Sequence, residues 1–348
     1  MAYINFHPKD HFKTLLYVGN GSDANSITGV GFKPDMVWTK NRDHAADNYL
    51  HDIVRGVQNA IRPNVATGTY ATSINLQSFD SDGFTLGTQD GLNKSGDNIV
   101  SWNWLLGGSQ GSSNTDGSIN TTYTSVNTTS GVSCSTWNGT GSDGTIGTGL
   151  GAVPKMVMVK SLTSSSWWIV YHASLGNDKE IYLNQTNASG SSTTWNTTTP
   201  TSSLISLDGG AGNGVNASGE TYIGYAFAEK KGFSAIGKFS GNGDSTYAPF
   251  IYTGFKPSLL ILKNTSATES WYILDTKRPG YNTNNYYLLA NNSNTEGTST
   301  SLATSLLSNG FRIENSDTSM NTSGQTYIYF AFAEEPLVSS NGVPATAR

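Results

Sequence analysis

The stretch Gly31-Phe-Lys-Pro-Asp-Met-Val-Trp-Thr-Lys40 decides the fold, because the chain of 348 residues contains it in three similar copies. The others are Gly151-Ala-Val-Pro-Lys-Met-Val-Met-Val-Lys160 and Gly254-Phe-Lys-Pro-Ser-Leu-Leu-Ile-Leu-Lys263, and successive prolines lie 120 and 103 residues apart. A repeat of about 100 residues is too long for a propeller blade or a solenoid unit and matches a complete β-sandwich. The sequence therefore predicts three tandem domains.

Two further landmarks flank each copy in the same order. A Gly-x-Gly motif precedes it, and an Asn-x-Ser-Gly motif closes it, as in Gly19-Asn-Gly21 and Asn93-Lys-Ser-Gly96. Equal order and similar spacing indicate a triplicated module. The predicted organisation is an N-terminal docking segment (1–13), module one (14–108), a Gly/Ser/Thr-rich linker or loop (109–131), module two (132–232), module three (233–336) and a C-terminal tail (337–348).

Composition and patterning favour strands over helices. Charged residues make up 13% of the chain and aromatic residues 11%, with 39 glycines. Abundant turn residues disfavour helices, and this many aromatic side chains argues against a disordered chain. The predicted fold class is all-β, with three tandem β-sandwich (jelly-roll-like) modules.

The apolar runs suggest how the modules pack. The run after each proline, such as Met156-Val-Met-Val159, has no polar face and predicts a strand covered on both sides. In the closing strand, Val100, Trp102 and Trp104 alternate with small or polar residues, which predicts large aromatic residues in a sandwich core and close packing on the opposite face. We therefore expect the three modules to form one compact body.

Charge and cysteine content narrow the class of protein. The net charge is −5 and no Lys/Arg cluster occurs, which disfavours nucleic acid binding. Cys134 is the single cysteine, so the chain can form neither an internal disulfide nor a cysteine-based zinc site. The N-terminus does not resemble a signal peptide, and no apolar run is long enough to span a membrane. We expect synthesis in the cytoplasm without membrane insertion.

Paired charges at one repeated position are the candidate catalytic residues. Asp52-Ile-Val-Arg55 matches Asp275-Thr-Lys-Arg278, whereas the second copy has His172 there. The pairs Asp52 with Arg55 and Asp275 with Arg278 could form a catalytic or anion site, but repetition at one position favours ion pairs that brace a turn. No second acidic position is shared between copies, as glycoside hydrolysis would require. We predict no catalytic residue and no enzymatic activity.

Metal and sugar sites have weaker signals. Asp80-Ser-Asp-Gly83 resembles the start of a calcium loop, but the third copy has Leu307-Ser-Asn-Gly310 there, which indicates a shared turn. His7 and His11 have metal-binding spacing only if helical, and Pro8 intervenes. We predict neither a metal nor another cofactor. Trp195 lies in a polar stretch and is the candidate exposed sugar platform.

The apolar residues of the first segment predict an attachment device. Tyr3, Ile4, Phe6, Pro8 and Phe12 are too apolar for a free tail and could dock on a neighbouring protein by strand addition or pocket filling. The alternative is that they form the first strand of module one.

At these landmarks the chain resembles a repeat family of virion structural or tail-fibre proteins from marine tailed phages that infect cyanobacteria and pelagic bacteria. The resemblance rests on residues 29–42, on Ser78-Phe-Asp-Ser-Asp-Gly-Phe-Thr-Leu86, on Thr326-Tyr-Ile-Tyr-Phe-Ala-Phe-Ala-Glu334 and on both chain ends. Leu150 and Ala152 depart from the pattern.

The resemblance implies a location on the virion surface and no catalytic motif. The first hypothesis is a fibre-like appendage that contributes to host attachment, with other virion proteins as partners and a host glycan or protein as receptor. The alternatives are a capsid decoration or knob protein, a lectin without catalysis and a glycan depolymerase. A homotrimer is compatible with each structural reading.

Overall fold

The computed structural model describes residues 6–210, 214–279 and 281–336, and these residues form an almost entirely β structure. They contain 27 strands, in three runs of nine that we call the first, second and third segments. The first segment comprises β1 (Phe12–Val18), β2 (Asn25–Thr28), β3 (Met36–Asn41), β4 (Tyr49–Asp52), β5 (Asn59–Ala60), β6 (Tyr70–Ala71), β7 (Leu76–Asp80), β8 (Gly83–Leu86) and β9 (Asn98–Trp104).

The second segment comprises β10 (Tyr123–Asn127), β11 (Val132–Asn138), β12 (Gly144–Gly147), β13 (Met156–Ser161), β14 (Ile169–His172), β15 (Lys179–Tyr182), β16 (Gly190–Ser191), β17 (Leu204–Leu207) and β18 (Thr221–Phe227). The third comprises β19 (Ser234–Ser240), β20 (Phe250–Tyr252), β21 (Leu259–Asn264), β22 (Trp271–Asp275), β23 (Tyr286–Leu289), β24 (Gly297–Thr298), β25 (Thr304–Leu307), β26 (Gly310–Ile313) and β27 (Thr326–Phe332). The short helices of the described residues are a 3₁₀ turn at Pro8–Asp10, α1 (Asp90–Asn93) and a 3₁₀ turn at Thr300–Leu302.

Each segment contains a large antiparallel sheet and a small one. The large sheets have the orders β1-β9-β3-β4, β10-β11-β18-β13-β14-β15-β16 and β19-β27-β21-β22-β23-β24. The small sheets are β2-β8-β7, β12-β17 and β20-β26-β25. In every segment the closing strand therefore has the same two neighbours: β9 lies between β1 and β3, β18 between β11 and β13, and β27 between β19 and β21. The predicted all-β fold is confirmed; the predicted module boundaries stay a prediction.

The two repeated glycine motifs have a common structural cause. A Cβ on Gly19, Gly139 or Gly241 would lie 2.0–2.3 Å from a backbone oxygen of the closing motif, so only glycine fits. The second glycine of each Gly-x-Gly motif, such as Gly21 with φ +69°, adopts the left-handed conformation. In all three segments the asparagine of the closing motif accepts backbone amide hydrogen bonds from this turn, through its carbonyl and through Oδ1.

The large sheets are buried on both faces because they meet one another. One face of each sheet contributes to a common core that includes Trp102 and Trp104, Tyr225 and Phe227, and Phe330 and Phe332. The opposite faces pack on the small sheets in three separate cores. The compact packing expected from the apolar runs is therefore present. The predicted sandwich-core position of the aromatic residues is wrong, because they fill the core between segments.

Contacts at one end of the sheets connect the segments in a closed ring. Trp168 of the second segment donates its indole N–H to the carbonyl of Arg62 in the first, at 3.0 Å. Trp271 of the third donates to Tyr182 of the second, at 2.8 Å. The amide of Asn48 in the first donates to Asn292 of the third, at 3.0 Å, and completes the cycle. The segments are therefore arranged like the subunits of a trimer within one chain.

The structure corrects the predicted linker at residues 109–131. Tyr123–Asn127 forms β10, which pairs with β11 and extends the second large sheet. Thr124 also bridges to Ser112, and Ile119 bridges to Ile146 of β12. The Ser/Thr-rich composition concealed a strand because Thr and Val alternate with Tyr, Ser and Asn on a half-buried edge.

The structure also corrects the N-terminal segment. Tyr3 and Ile4 lie outside the described residues. Phe12 begins β1 opposite Trp104, and its ring stacks on Phe332 with centroids 5.2 Å apart. Phe6 packs edge-on against Phe233 at 5.4 Å, and Pro8 is buried. Phe6, Pro8 and Phe12 are therefore held within their own chain, and their assignment as residues that dock on another protein is wrong.

Candidate functional site

Both predicted ion pairs are present, and both are buried. Arg55 Nε donates to Asp52 Oδ2 at 2.7 Å, and the hydroxyl of Tyr225 donates to the same oxygen at 2.6 Å. Burial alone would lower the pKa of the Arg55 guanidinium, but the charge of Asp52 outweighs burial and raises that pKa. Arg55 also donates to the carbonyl of Leu50 at 2.9 Å. The pair thus ties the end of β4 to the second segment.

The second pair braces the matching turn of the third segment. Arg278 Nε donates to Asp275 Oδ2 at 2.7 Å, and Arg278 Nη1 reaches Glu296 Oε1 at 3.0 Å. Glu296 also accepts a bond from Arg42 of the first segment at 2.7 Å. A carboxylate fully enclosed by partners is not placed to meet a substrate from solvent, so these residues position the segments.

The motifs tested as metal sites serve as turns. Asp82 accepts hydrogen bonds from the amides of Gly29 (3.1 Å) and Gly31 (2.6 Å), and Asp80 accepts one from Thr85. His11 packs on Phe6 and lies 3.0 Å from the amide nitrogen of Asn127. Within the part of the chain that the structure describes, no group of three or more His, Cys, Asp or Glu side chains is arranged to hold a metal ion.

The structure overturns the candidate sugar platform. Trp195 is 0% exposed and lies in the core of the second segment, edge-on to Tyr171 with centroids 5.6 Å apart. The polar residues around it in sequence are turn residues, and the indole points inward between the sheets. Trp195 therefore cannot stack on a sugar.

Three exposed aromatic side chains lie instead on β20 of the third segment and on the loop that precedes it. Tyr247, Phe250 and Tyr252 are 80%, 49% and 61% exposed, and we call these three residues the aromatic strip. Phe250 and Tyr252 alternate on β20 with Ile251, which faces the core. On β26, a Cβ at Gly310 would lie 2.1 Å from the carbonyl oxygen of Ile251 and 3.0 Å from a ring carbon of Phe250, so glycine allows the close approach of β20 at this point.

The matching positions in the other segments are small or polar. Three isoleucines occupy equivalent positions, namely Ile27, Ile146 and Ile251. Each faces inward from the first strand of its small sheet, which is β2, β12 or β20. Phe250 then corresponds to Ser26 and Thr145. The fold alone does not require aromatic residues at these outward positions, so the aromatic strip is a feature of the third segment.

A polar cleft of about 520 Å³ lies beside the same elements. Ser245 comes from the loop that also bears Tyr247, and Glu314 directly follows β26, the partner strand of β20. Asp317 is oriented by the Ser319 amide at 2.8 Å, and Glu314 accepts a bond from Thr283 at 3.2 Å. We call this the distal cleft, lined by Ser245, Thr300, Ser301, Glu314, Asn315, Ser316, Asp317 and Thr318.

The distal cleft lies at the end of the sheets opposite the chain ends. Phe6 and Phe332 lie with Phe233 and Phe12 at the beginning of β19 and β1. The Tyr247 loop follows the other end of β19, and Ser240 there pairs with Thr326 at the beginning of β27. A strand of seven residues spans about 23 Å. The described chain ends and the candidate site are therefore separated along the sheets by roughly that distance.

Sequence reasoning missed this site, although a signal was present. The loop from the Gly-x-Gly turn to the inward isoleucine has two more residues in the third copy (Gly243 to Ile251) than in the first (Gly21 to Ile27). The added length carries Tyr247. Comparison of outward strand positions between copies would have singled out Phe250 and Tyr252.

The fold defines an all-β protein in which three similarly ordered segments surround one core, with the aromatic strip on the third. The chain belongs to the family described as a domain of unknown function, DUF7483, whose model matches residues 7–336. The match covers all three segments as one unit. No curated protein and no solved structure matches the chain. Among the described helices, none is long and apolar enough to cross a membrane.

Proposed function

We propose that the chain is a non-enzymatic structural component of a bacteriophage virion that contributes to attachment at the host surface. The observation that carries the proposal is the arrangement of three segments in a closed ring around a common core. A single chain with trimer-like geometry suits a threefold or pseudo-threefold position of a larger assembly, where each segment meets an equivalent neighbour.

The polarity of the molecule supports the same proposal. The described chain ends lie together at one end of the sheets, and the loop that bears Tyr247 follows the other end of β19. Attachment through the end that bears the termini would direct the distal cleft outward. The resemblance of residues 29–42, 78–86 and 326–334 to virion proteins of marine tailed phages gives the biological context.

The location of the protein in virions tests the proposal. We expect gold-labelled antibody against the purified protein to decorate phage particles at tail fibres or at another surface appendage. Decoration of the capsid would support the alternative of a decoration or knob protein. Labelling of lysate but not of particles would overturn the structural role and favour a free lectin.

The N-terminal residues give a second test. Because Phe12 belongs to β1 and Phe6 packs on Phe233, a deletion must spare them. Removal of residues 2–5, which include Tyr3 and Ile4, should leave the unfolding midpoint unchanged and abolish incorporation into virions. Incorporation at the wild-type level would show that docking uses another surface.

A further inference from the structure

We infer that the distal cleft and the aromatic strip form a binding site for a neutral glycan. Sugar rings would stack on Tyr247 and Phe250, and sugar hydroxyls would bond the polar lining of the cleft. The inference deepens the proposed function, since it names the ligand class of the end that the virion would present.

The aromatic strip has the exposure of a binding surface. Tyr247 and Tyr252 hold most of their ring area in water, although an aromatic ring normally gains stability by burial. Ser26 and Thr28 occupy the positions of Phe250 and Tyr252 in the first segment and complete the same small sheet without aromatic side chains. Exposed apolar surface that the fold does not need is typical of an interaction site.

The chemistry of the cleft identifies the ligand as a polyhydroxylated one. Its lining combines hydroxyl groups with the carboxylates of Glu314 and Asp317, whereas the amide of Asn315 is already bonded to Ala303 and Asp317. Such groups both donate to and accept from sugar hydroxyls, and bonds that involve a carboxylate are stronger than neutral ones. The volume falls within the range of about 300–1,000 Å³ that is typical of small-ligand sites.

Charge selects neutral glycans over acidic ones. Glu314 and Asp317 line the cleft, and Asp244 holds the adjoining loop by accepting the amides of Thr246 and Tyr247. Arg312, opposite Phe250, donates to the carbonyl of Thr246 at 2.6 Å and so helps to fix the same loop. Two carboxylates in the cleft would repel uronic or sialic acids. Aromatic faces beside hydroxyl-rich walls match the alternating apolar and polar surfaces of a pyranose.

Affinity electrophoresis of the purified full-length protein tests the inference. The gels would contain dextran, mannan or galactan as neutral polysaccharides and alginate as the acidic one. We expect retardation in at least one neutral gel and none in alginate. Tyr247→Ala and Phe250→Ala should each weaken binding by roughly three- to tenfold, the loss expected for an aromatic contact. Glu314→Gln should weaken it without changing the unfolding midpoint.

Two matched controls define the site. Trp167→Ala removes a half-exposed aromatic side chain of the second segment, and Ser26→Ala alters the position equivalent to Phe250. Neither should change retardation. Equal mobility in all neutral gels, or retardation in alginate alone, would overturn the inference. It would also be overturned if Trp167→Ala abolished the retardation, or if both Tyr247→Ala and Phe250→Ala left it unchanged. If Phe250→Ala unfolds, the highly exposed Tyr247 decides alone. Labelling of virions separates failure of this site from failure of the structural role.

Discussion

A buried histidine in the first segment makes the stability of the protein sensitive to acid. His51 lies in β4, and neither ring nitrogen has a hydrogen-bond partner among the described residues. Burial, with a contribution from the charge of Arg55, lowers the pKa of His51 to about 3, whereas an unfolded histidine titrates near 6.5. Because the unfolded state binds the proton first, stability that is complete above pH 6.5 decreases as the pH falls towards 3.

The third segment provides the substitution that tests this effect. Leu274 occupies in β22 the position of His51 in β4. His51→Leu should therefore be tolerated and should remove a destabilisation of about 2–3 kcal/mol at pH 4.5, while it changes stability little at pH 7.5. Urea unfolding at both pH values measures the difference. The exposed His7→Leu is the control, and an equal gain from both substitutions would contradict the role of burial.

Three buried lysines act in the alkaline range. Lys40, Lys160 and Lys263 occupy the same position in β3, β13 and β21, and each donates to backbone carbonyls. Burial lowers the pKa of each ammonium group to about 8, although the nearby carboxylates of Asp47, Glu220 and Glu269 oppose the change. Unfolded lysines keep their protons up to about pH 10.4.

We therefore expect the free energy of unfolding to increase between pH 8 and pH 9, because the three lysines bind more protons in the unfolded state there. Burial raises the pKa of the Cys134 thiol in the folded protein, so loss of that proton from the unfolded chain opposes part of the increase. Each lysine contributes up to about 1.4 kcal/mol per pH unit. Urea titrations at pH 7.5, 8.0 and 9.0 measure the slope, and Lys40→Met should reduce it, because one of the three lysine contributions is lost. A flat profile in the wild type would contradict the lowered pKa values.

At the scale of strands, two glutamates protect exposed sheet edges. The amide of Thr14 in β1 donates to Glu334 Oε1 at 2.9 Å, and the equivalent amide of Ile236 in β19 donates to Glu229 at 2.8 Å. In the second segment, β10 covers the equivalent edge, with Ser125 opposite Cys134. A carboxylate at an edge amide blocks addition of a foreign strand, as inward-pointing charges do elsewhere.

Removal of one glutamate should expose the β1 edge. Glu334→Ala loses the bond to Thr14 and the ion pairs with Lys13 (3.6 Å) and Lys277 (3.2 Å). We expect a loss of stability of about 2–3 kcal/mol, mainly from the buried charged hydrogen bond. Self-association should also appear in light scattering after size-exclusion chromatography. Glu335→Ala, at the exposed neighbouring residue, should behave like the wild type; monomeric Glu334→Ala would refute edge protection.

The sequence predicted the strands and turns better than their partners. Repetition and period-two alternation are local, so the apolar runs and the Gly-x-Gly turns could be placed from residues alone. The direction in which Trp102 and Trp104 face depends on the other segments, and no local pattern specifies it. Trp195 was misplaced for the same reason, because the core that buries it is built from residues distant in sequence. The aromatic strip required comparison between copies at outward positions.

For the whole molecule, the common core predicts a single unfolding transition. Phe227 of the second segment lies edge-on to Phe330 of the third, with centroids 4.7 Å apart, and Phe12 of the first stacks on Phe332. An isolated segment would expose this face of its large sheet, and even about 500 Å² of apolar surface per junction corresponds to on the order of 10 kcal/mol before entropy is subtracted. Loss of one segment should therefore destabilise the other two.

Calorimetry of the full chain should consequently give one transition whose calorimetric and van't Hoff enthalpies agree. Phe227→Ala, which creates a cavity in the common core, should lower the stability by about 3–5 kcal/mol and shift the transition as a whole. Trp167→Ala, at a half-exposed side chain of the same segment, should leave it in place. Three separate transitions, each reproduced by an isolated segment such as residues 233–336, would mean that the segments fold independently and that the shared core adds little to their stability.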